Sequence, residues 1–250
     1  MTTPLVWAHR GSHRLDGPLE NTMEAFAEAI TDGADGVELD VMRCATGEVV
    51  VFHDYELTRL AGRPGVIRDI GWPELRQIKL GNGASIPLLS DVLDALGPLR
   101  CNIELKSAPT WARRFVDEGL AGAVAAILQD QSAPGVLVSS FDPLLLLRFR
   151  RLSSLPLALL FGSEQAVPFR RAWPTVWVQP AALHPEAALV DAISMTDWHR
   201  RGYAVNVWTV DDPAVMRWLW ALGVDGVITN RPALARRLFA GSVSRELSRP

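Results

Sequence analysis

Short apolar runs alternate with stretches of helical spacing along the whole sequence, and this alternation is the strongest constraint on the fold. Parallel strands need a crossover between them, usually a helix, so sustained strand–helix alternation predicts an α/β fold. The predicted strands are LVWAH (5–9), GVELDV (36–41), VVVFH (49–53), NIELK (102–106), VLVSS (136–140), LALLF (157–161), VWVQP (176–180), AVNVW (204–208) and GVIT (226–229). A chain of 250 residues has the length of one TIM-type (β/α)8 barrel, which we predict over 1–250 as a single domain.

Nine predicted strands are one too many for this barrel, and the surplus strand follows strand two. Only seven residues separate Val41 from Val49, including the turn pair Thr46-Gly47, so no crossover helix fits between them. We therefore predict a hairpin over 41–53 at the barrel mouth, followed by a Gly/Pro-rich insertion. Hairpin and insertion together span about 41–89.

Composition excludes several classes of protein. The 25 Lys and Arg nearly balance the 28 Asp and Glu, so nothing indicates the clustered basic surface that nucleic acid requires. Two cysteines without a Cys/His cluster argue against a disulfide framework or zinc and fit a reducing compartment. The N-terminus has no signal-peptide pattern, and the most apolar segment, 119–128, is too short to span a bilayer. We expect a soluble, cytoplasmic protein with no stable membrane anchor and a frayed tail over about 241–250.

Acidic side chains share one face of two predicted strands. Glu38 and Asp40 are two residues apart, and Asn102, Glu104 and Lys106 repeat the pattern in NIELK. A surface strand with alternating polar residues is the alternative, but the apolar residues of both strands fall on the opposite face, which helices cover in a barrel. Three inward carboxylates need a positive counter-charge, and oxygen ligands suit one divalent cation, Mg²⁺ or Ca²⁺.

Two histidines stand at predicted strand ends. His9 ends the first strand, directly before Arg10, and His53 ends VVVFH, so both should face the C-terminal mouth, where barrels place catalytic groups. Two imidazoles beside a metal make an acid–base pair near neutral pH. With Arg10 and Lys106, the three carboxylates and a divalent cation leave a formal charge of about +1, which one phosphodiester would balance.

Other candidate residues carry weaker signals. Trp208 ends AVNVW at the predicted mouth and could form an apolar wall against a ligand, and Phe141 is a weaker candidate of the same kind. We interpret His13 as an exposed loop residue, and His184 and His199 as structural residues of a helical stretch.

An ordered series of motifs resembles the glycerophosphodiester phosphodiesterase family of metal-dependent barrels. The motifs are AHRG (8–11), LENT (19–22), GVELDV (36–41), VVVFHD (49–54), IPLLSDVL (86–93), NIELK (102–106), VSSF (138–141), VNVWTVD (205–211) and GVDGVITNRP (223–232). The resemblance implies that His9 and His53 are the acid–base pair, that Glu38, Asp40 and Glu104 bind the cation, and that Arg10 and Lys106 hold the phosphate. It also implies that Asn21 lies close to the site and contacts substrate. The sequence departs from the family where Leu19 separates Pro18 from Glu20.

The implied reaction is hydrolysis of a small glycerophosphodiester to glycerol 3-phosphate and an alcohol. Three alternatives stay open: a lysophospholipase D or sphingomyelinase D type that cleaves larger lipids, a phospholipase that forms a cyclic product, and a phosphodiester-binding barrel without catalysis. The sequence leaves open the alcohol, Mg²⁺ versus Ca²⁺, the roles of the two histidines, and the oligomeric state.

Overall fold

Nine strands form one sheet in the computed structural model, which describes residues 2–14, 16–107, 119–130 and 135–246. The strands are β1 Leu5–His9, β2 Gly36–Arg43, β3 Val49–Val51, β4 Arg100–Leu105, β5 Val136–Ser140, β6 Leu157–Phe161, β7 Ala182–Pro185, β8 Ala204–Val207 and β9 Gly226–Thr229. All except β3 are parallel to their neighbours, in the order β1, β2, β4, β5, β6, β7, β8, β9, and β9 pairs with β1. The sheet is therefore a closed barrel of eight parallel strands, which confirms the predicted fold.

The surplus strand forms the predicted hairpin. β3 pairs antiparallel with the C-terminal half of β2, where Val41 lies opposite Val51 and Arg43 opposite Val49. β4 pairs with β2 from Gly36 to Val41. β2 thus contributes its first part to the barrel and extends beyond the mouth to carry the hairpin.

Most helices of the described residues cover the outside of the barrel, and two short ones lie in the insertion. They are α1 Met23–Thr31, α2 Thr58–Ala61, α3 Trp72–Leu75, α4 Leu89–Leu96, α5 Leu120–Asp130, α6 Pro143–Arg150, α7 Val167–Arg170, α8 Thr175–Val178, α9 Ala192–Arg200, α10 Pro213–Leu222 and α11 Pro232–Glu246, with 3₁₀ turns at Ile67–Asp69 and Ala187–Leu189. Asp142 and Asp212 accept backbone hydrogen bonds as N-caps of α6 and α10, each followed by Pro at the first helical position. Within the described ranges, no helix combines the length and apolar character that a membrane crossing needs.

The insertion after the hairpin has a core of its own. Its buried apolar side chains pack with those of the hairpin and form a cluster separate from the main core between sheet and helices. The cluster comprises Met42, Cys44, Val50, Phe52, Leu57, Leu60, Ile67, Leu75, Ile78, Leu80 and Ile86. The insertion is therefore a small packed unit on the barrel mouth.

The seventh barrel strand differs from the prediction. The segment VWVQP does not form a strand: its first three residues lie in α8, and β7 begins at Ala182. Thr175 and Val178 are buried whereas Val176 and Trp177 are exposed, which is the i, i+3 spacing of one helical turn. His184 consequently lies in β7 and is fully buried, not in a helical stretch.

The C-terminal end differs in part as well. The predicted frayed tail begins at 241, but α11 continues through Glu246. Residues 247–250 of that predicted tail lie outside the described residues.

Candidate active site

A cavity of about 210 Å³ opens at the C-terminal mouth of the barrel. Seven of the nine predicted site residues line it, together with the weaker candidate Phe141 and four further residues. The lining residues are His9, Arg10, Glu38, His53, Asn102, Glu104, Lys106, Phe141, Leu160, Trp208, Thr209 and Ile228. Asp40 and Asn21 are buried beside the cavity without lining it.

The three predicted metal ligands form one cluster. Glu38, Asp40 and Glu104 are all buried, and one oxygen of each lies within 4.8 Å of the others. Lys106 Nζ lies 2.9 Å from Glu104 Oε1 and 3.3 Å from Asp40 Oδ1, and Arg10 Nε lies 3.3 Å from Asp40 Oδ2. Burial, together with the charges of Asp40 and Glu104, raises the pKa of Glu38 well above its usual range. A buried carboxyl in this position needs further positive charge to ionise, so the donor set fits a divalent cation.

Asp40 differs electrostatically from its neighbours. Burial acts to raise the pKa of its carboxyl, but Lys106 and Arg10 outweigh burial and hold that pKa below its usual range. The Asn21 amide donates to Asp40 Oδ2 at 2.9 Å and accepts from the Asp40 backbone N–H at 3.3 Å. Thr22, not Asn21, is the N-cap of α1. Asn21 was predicted to contact substrate. In the structure it does not line the cavity, and it contacts the predicted metal ligand Asp40 instead.

Arg10 is held in a left-handed backbone conformation with φ 56°. Its N–H donates to Glu38 Oε2 at 3.0 Å, and its Nη1 donates to Glu20 Oε1 at 2.8 Å. A Cβ on Gly11 would lie 2.8 Å from the backbone of Ala25, so this sharp turn requires glycine. The turn thus places the Arg10 side chain in the lining of the cavity, where its guanidinium pairs with Glu20 and Asp40.

Arg59 of α2 was not predicted from the sequence. Its guanidinium donates to both oxygens of Glu20, at 2.9 and 2.6 Å, and its Nε donates to Asp54 Oδ2 at 2.6 Å. Burial acts to raise the pKa of Glu20, but the hydrogen bonds from Arg59 and Arg10 lower it to about 2. Arg59 therefore connects the insertion to the groups that hold Arg10 and His53.

The His9 ring is fixed by residues from the far end of the chain. Its Nδ1 lies 2.7 Å from Asn230 Oδ1, while Asn230 Nδ2 donates to Asp211 Oδ2 at 2.6 Å. Because Asp211 accepts from the amide nitrogen, Asn230 Oδ1 faces His9 and accepts the Nδ1 proton. Burial, with the charge of Arg10, lowers the pKa of His9 to about 4. A neutral His9 therefore carries its proton on Nδ1, and its Nε2 lies 4.0 Å from Glu38 Oε2.

Asn230 also engages a histidine that the sequence placed in an exposed loop. His13 Nε2 lies 3.0 Å from the same Asn230 Oδ1, and the ring is half-buried. The two imidazole centroids are 6.4 Å apart. His13 therefore shares the hydrogen-bond network of His9.

His53 has a different partner. Its Nδ1 lies 2.7 Å from Asp54 Oδ1, and Asp54 also accepts from Arg59. The partner of His53 is thus a carboxylate, whereas the partner of His9 is a neutral amide oxygen. The two histidines therefore lie in one cavity and differ in the charge of the group that pairs with Nδ1.

An apolar wall faces the charged groups across the barrel. Trp208 and Phe141 pack edge to face, with ring centroids 5.3 Å apart, and Trp208 Nε1 donates to the His184 carbonyl at 2.7 Å. Leu160 and Ile228 extend this wall. The sequence singled out both aromatic residues as candidates, and the structure brings them together.

Asn102 is a lining residue that the sequence left without a role. It lies opposite Glu38 in the β2–β4 register and is 1% exposed. Neither atom of its amide has a hydrogen-bond partner among the described residues. Its place on the inward face with Glu104 was the only sequence signal for it.

Comparisons with known proteins agree with this geometry. Residues 9–234 match the glycerophosphoryl diester phosphodiesterase family. A probable glycerophosphodiester phosphodiesterase 2 of Mycobacterium tuberculosis is 31% identical over 93% of this chain and 89% of its own length. A glycerophosphodiester phosphodiesterase of Caldanaerobacter subterraneus is also 31% identical, over 91% and 94%.

Solved structures show the same architecture. A phosphodiesterase of Oleispira antarctica, in complex with the product sn-glycerol-3-phosphate, superposes with a TM-score of 0.84 at 25% identity and covers 95% of this chain and 97% of its own. A glycerophosphodiester phosphodiesterase of Thermotoga maritima gives a TM-score of 0.76 at 30% identity, over 95% and 99%. With nearly the whole chain matched in sequence and in structure, this protein belongs to the glycerophosphoryl diester phosphodiesterase family.

Proposed function

We propose that this enzyme hydrolyses small glycerophosphodiesters to glycerol 3-phosphate and an alcohol. The observation that carries the proposal is the cavity itself, where a buried three-carboxylate cluster lies with two differently paired histidines, Arg10 and Lys106. The product bound to the Oleispira antarctica relative is glycerol 3-phosphate, which supports the same substrate class for this chain.

Glu38, Asp40 and Glu104 would hold one divalent cation, Mg²⁺ or Ca²⁺. When bound, such an ion stabilises the negative charge that develops on the phosphoryl oxygens. Arg10 and Lys106 add fixed positive charge at the same side of the cavity, and the pairing of Arg10 with Glu20 keeps its guanidinium oriented.

The two histidines take opposite roles in this proposal. Neutral His9 accepts a proton at Nε2 from the attacking oxygen, because its Nδ1 proton is already committed to Asn230. His53, whose Nδ1 pairs with the Asp54 carboxylate, donates a proton to the departing alkoxide. The leaving alcohol would pack against Trp208 and Phe141.

The size of the cavity favours small alcohols over lipid chains. About 210 Å³ lies below the roughly 300–1,000 Å³ that is usual for sites of drug-sized ligands. This observation supports a water-soluble diester over the lysophospholipase D or sphingomyelinase D alternative.

A coupled assay for glycerol 3-phosphate tests the proposal. The substrates are glycerophosphocholine, glycerophosphoethanolamine, glycerophosphoglycerol and glycerophosphoinositol, with lysophosphatidylcholine as the lipid comparison. We expect glycerol 3-phosphate from at least one soluble diester, loss of activity in EDTA, and recovery with Mg²⁺ or Ca²⁺. Faster turnover of lysophosphatidylcholine would favour the lipid alternative, and no turnover of any substrate would favour a binding protein.

Glu38→Gln tests the cation separately from turnover. In EDTA the variant should be at least as stable as wild type, because it removes a carboxyl that burial and two like charges disfavour. With added Mg²⁺ or Ca²⁺, wild type should gain more thermal stability than the variant, because ligand binding to the native state stabilises it. Glu74→Gln, which changes an exposed carboxylate of the insertion, is the control. Equal stabilisation of wild type and Glu38→Gln by the ion would contradict the assignment.

A further inference from the structure

An exposed aromatic patch lies on α8 and on the turn before it, away from the cavity. Trp173, Val176 and Trp177 are 54%, 68% and 67% exposed. Thr175 and Val178 bury the other side of α8 against the barrel, so the side chains at 176 and 177 project outward. Scattered apolar residues on a surface are ordinary, but three within five residues, two of them tryptophan, form a contiguous apolar feature.

Arginines border this patch. Arg170 and Arg171 are exposed directly upstream of Trp173. Arg150 donates to the Gln179 carbonyl at 2.7 Å, and Arg201 donates to the Thr175 hydroxyl at 3.1 Å. These hydrogen bonds place the ends of α6 and α9 on either side of α8. We call these side chains, with Trp173, Val176 and Trp177, the tryptophan–arginine patch.

The charge around the patch is unlike that of the rest of the chain. Residues 143–201 contain seven arginines, no lysine and four acidic residues, whereas the whole chain has a net charge of −3. Asp197 pairs with Arg201 at 3.7 Å, but among the described residues no acidic side chain forms an ion pair with Arg170 or Arg171. The patch therefore presents excess positive charge around an apolar centre.

The patch lies at the end of the barrel opposite the cavity. α8 ends at Val178, four residues before β7 begins, so it sits near the N-terminal ends of the strands. Arg150 is the last residue of α6, and Arg201 directly follows α9. Both therefore lie between a helix and the start of the next strand, on the side of the N-terminal strand ends. The cavity opens at the C-terminal ends.

We propose that the tryptophan–arginine patch docks this protein reversibly on an anionic lipid surface. Tryptophan is favoured at the boundary between headgroups and acyl chains, and arginines near it gain from the negative surface potential of anionic lipids. Three apolar side chains without a spanning helix give weak, salt-sensitive binding, not permanent insertion.

A second copy of this chain fits the patch less well. A two-fold interface would bring the same surface of both copies together and so gather the arginines of both copies in one interface. An anionic surface instead complements these charges, and that complementarity decides between the two partners.

Docking through this patch turns the cavity away from the lipid. A water-soluble diester could then reach the bound enzyme freely, whereas a lipid substrate in the same bilayer could not. This consequence rests on the proposed function, but the docking itself does not.

Vesicle flotation without substrate tests the docking. Wild type should float with vesicles of equimolar phosphatidylcholine and phosphatidylglycerol and stay behind with pure phosphatidylcholine. Raising the salt from about 0.1 to about 0.5 M, which shortens the screening length, should release it. Trp173→Ser/Trp177→Ser and Arg170→Gln/Arg171→Gln should each weaken the partition about tenfold or more. Trp218→Ser removes an exposed tryptophan from α10, elsewhere on the barrel, and should change nothing.

Several results would overturn the proposal. The proposal is wrong if anionic vesicles fail to bind wild type, or if the two double variants bind as wild type does. Sedimentation tests the other partner. If wild type self-associates, the tryptophan variant does not, and neither binds vesicles, the patch is an interface between copies. If the variants and wild type hydrolyse a soluble diester equally well, a loss of docking cannot be a loss of folding. Inhibition of wild type by bound vesicles would contradict the proposed orientation.

Discussion

The partners of the two imidazoles predict which variant a better leaving group will rescue. His9→Ala and His53→Ala should each lower kcat/KM on a natural diester by about 10²–10⁴-fold, the usual contribution of one general acid or base. In the p-nitrophenyl ester of glycerol 3-phosphate, itself a phosphodiester, the leaving group is p-nitrophenolate, which needs no protonation. Because His53, paired with Asp54, is the proposed general acid, this substrate should restore most of the activity of His53→Ala and little of that of His9→Ala.

Steady-state kinetics of both variants on both substrates checks this assignment. Rescue of His9→Ala instead would reverse the two roles. Near-normal activity of both variants on the natural diester would exclude acid–base catalysis by these residues. Asp54→Asn is a useful companion, because it keeps a hydrogen-bond acceptor for His53 Nδ1 but removes the charge.

At the residue scale, the sequence predicted those site residues whose inward orientation follows from the alternation of side chains along a strand. Glu38 and Asp40 alternate with apolar neighbours in β2, so their shared inward face follows from strand geometry alone. The partner of His9 was out of reach, because Asn230 is 221 positions away and contacts it only through closure of β9 onto β1. No local pattern distinguishes an amide that orients a histidine from an ordinary loop asparagine.

At the scale of elements, the packed insertion supports the site from one side. Leu75 is fully buried in the insertion core, and Arg59 of the same insertion pairs with Glu20 and Asp54. Leu75→Ala should lower the free energy of unfolding by about 2–5 kcal/mol, through lost burial and the cavity left behind. Leu152→Ala, at an exposed position after α6, should stay within about 0.5 kcal/mol of wild type.

Urea unfolding of both variants measures this difference. A change at Leu75 no larger than the change at Leu152 would mean that the insertion folds independently of the barrel or is not packed. The sequence predicted the place of the insertion, but its glycines and prolines indicated an irregular segment and hid the core.

The error at β7 has a physical cause of the same kind. VWVQP is more apolar and richer in β-branched and aromatic residues than ALHP, so intrinsic propensity favours a strand at 176–180. In the folded chain, α8 exposes Val176 and Trp177, whereas β7 buries a histidine. Tertiary contacts therefore outweigh local propensity in this segment. In β7 the inward His184 lies 3.0 Å from the amide nitrogen of Asn206 in the neighbouring strand β8.

At the scale of the whole molecule, the closed barrel was the most predictable property. Alternation of strands and helices fixes parallel pairing, the spacing of Val41 and Val49 excludes a ninth barrel strand, and the C-terminal mouth follows from the fold. Part of what fills the barrel was not predictable, because the inward polar residues His184 and Asn206 carry no local signal that distinguishes them from surface positions.

The buried His184 predicts how the stability of the whole barrel depends on pH. Burial lowers the pKa of His184 from 6.5 to about 3, so between these values the unfolded chain binds a proton that the native chain does not. The free energy of unfolding should therefore fall as the pH drops below about 6.5, by up to about 1.4 kcal/mol per pH unit from this residue. Glu38 and Glu104, whose pKa values burial raises, act in the opposite direction in metal-free protein, so total stability alone cannot isolate His184.

The variant His184→Gln isolates this contribution, because it removes the titrating group while keeping an acceptor for Asn206. Measured in urea from pH 7 to pH 4.5, wild type should lose stability more steeply than His184→Gln. Parallel curves would show that His184 takes up its proton equally well in the native barrel and in the unfolded chain.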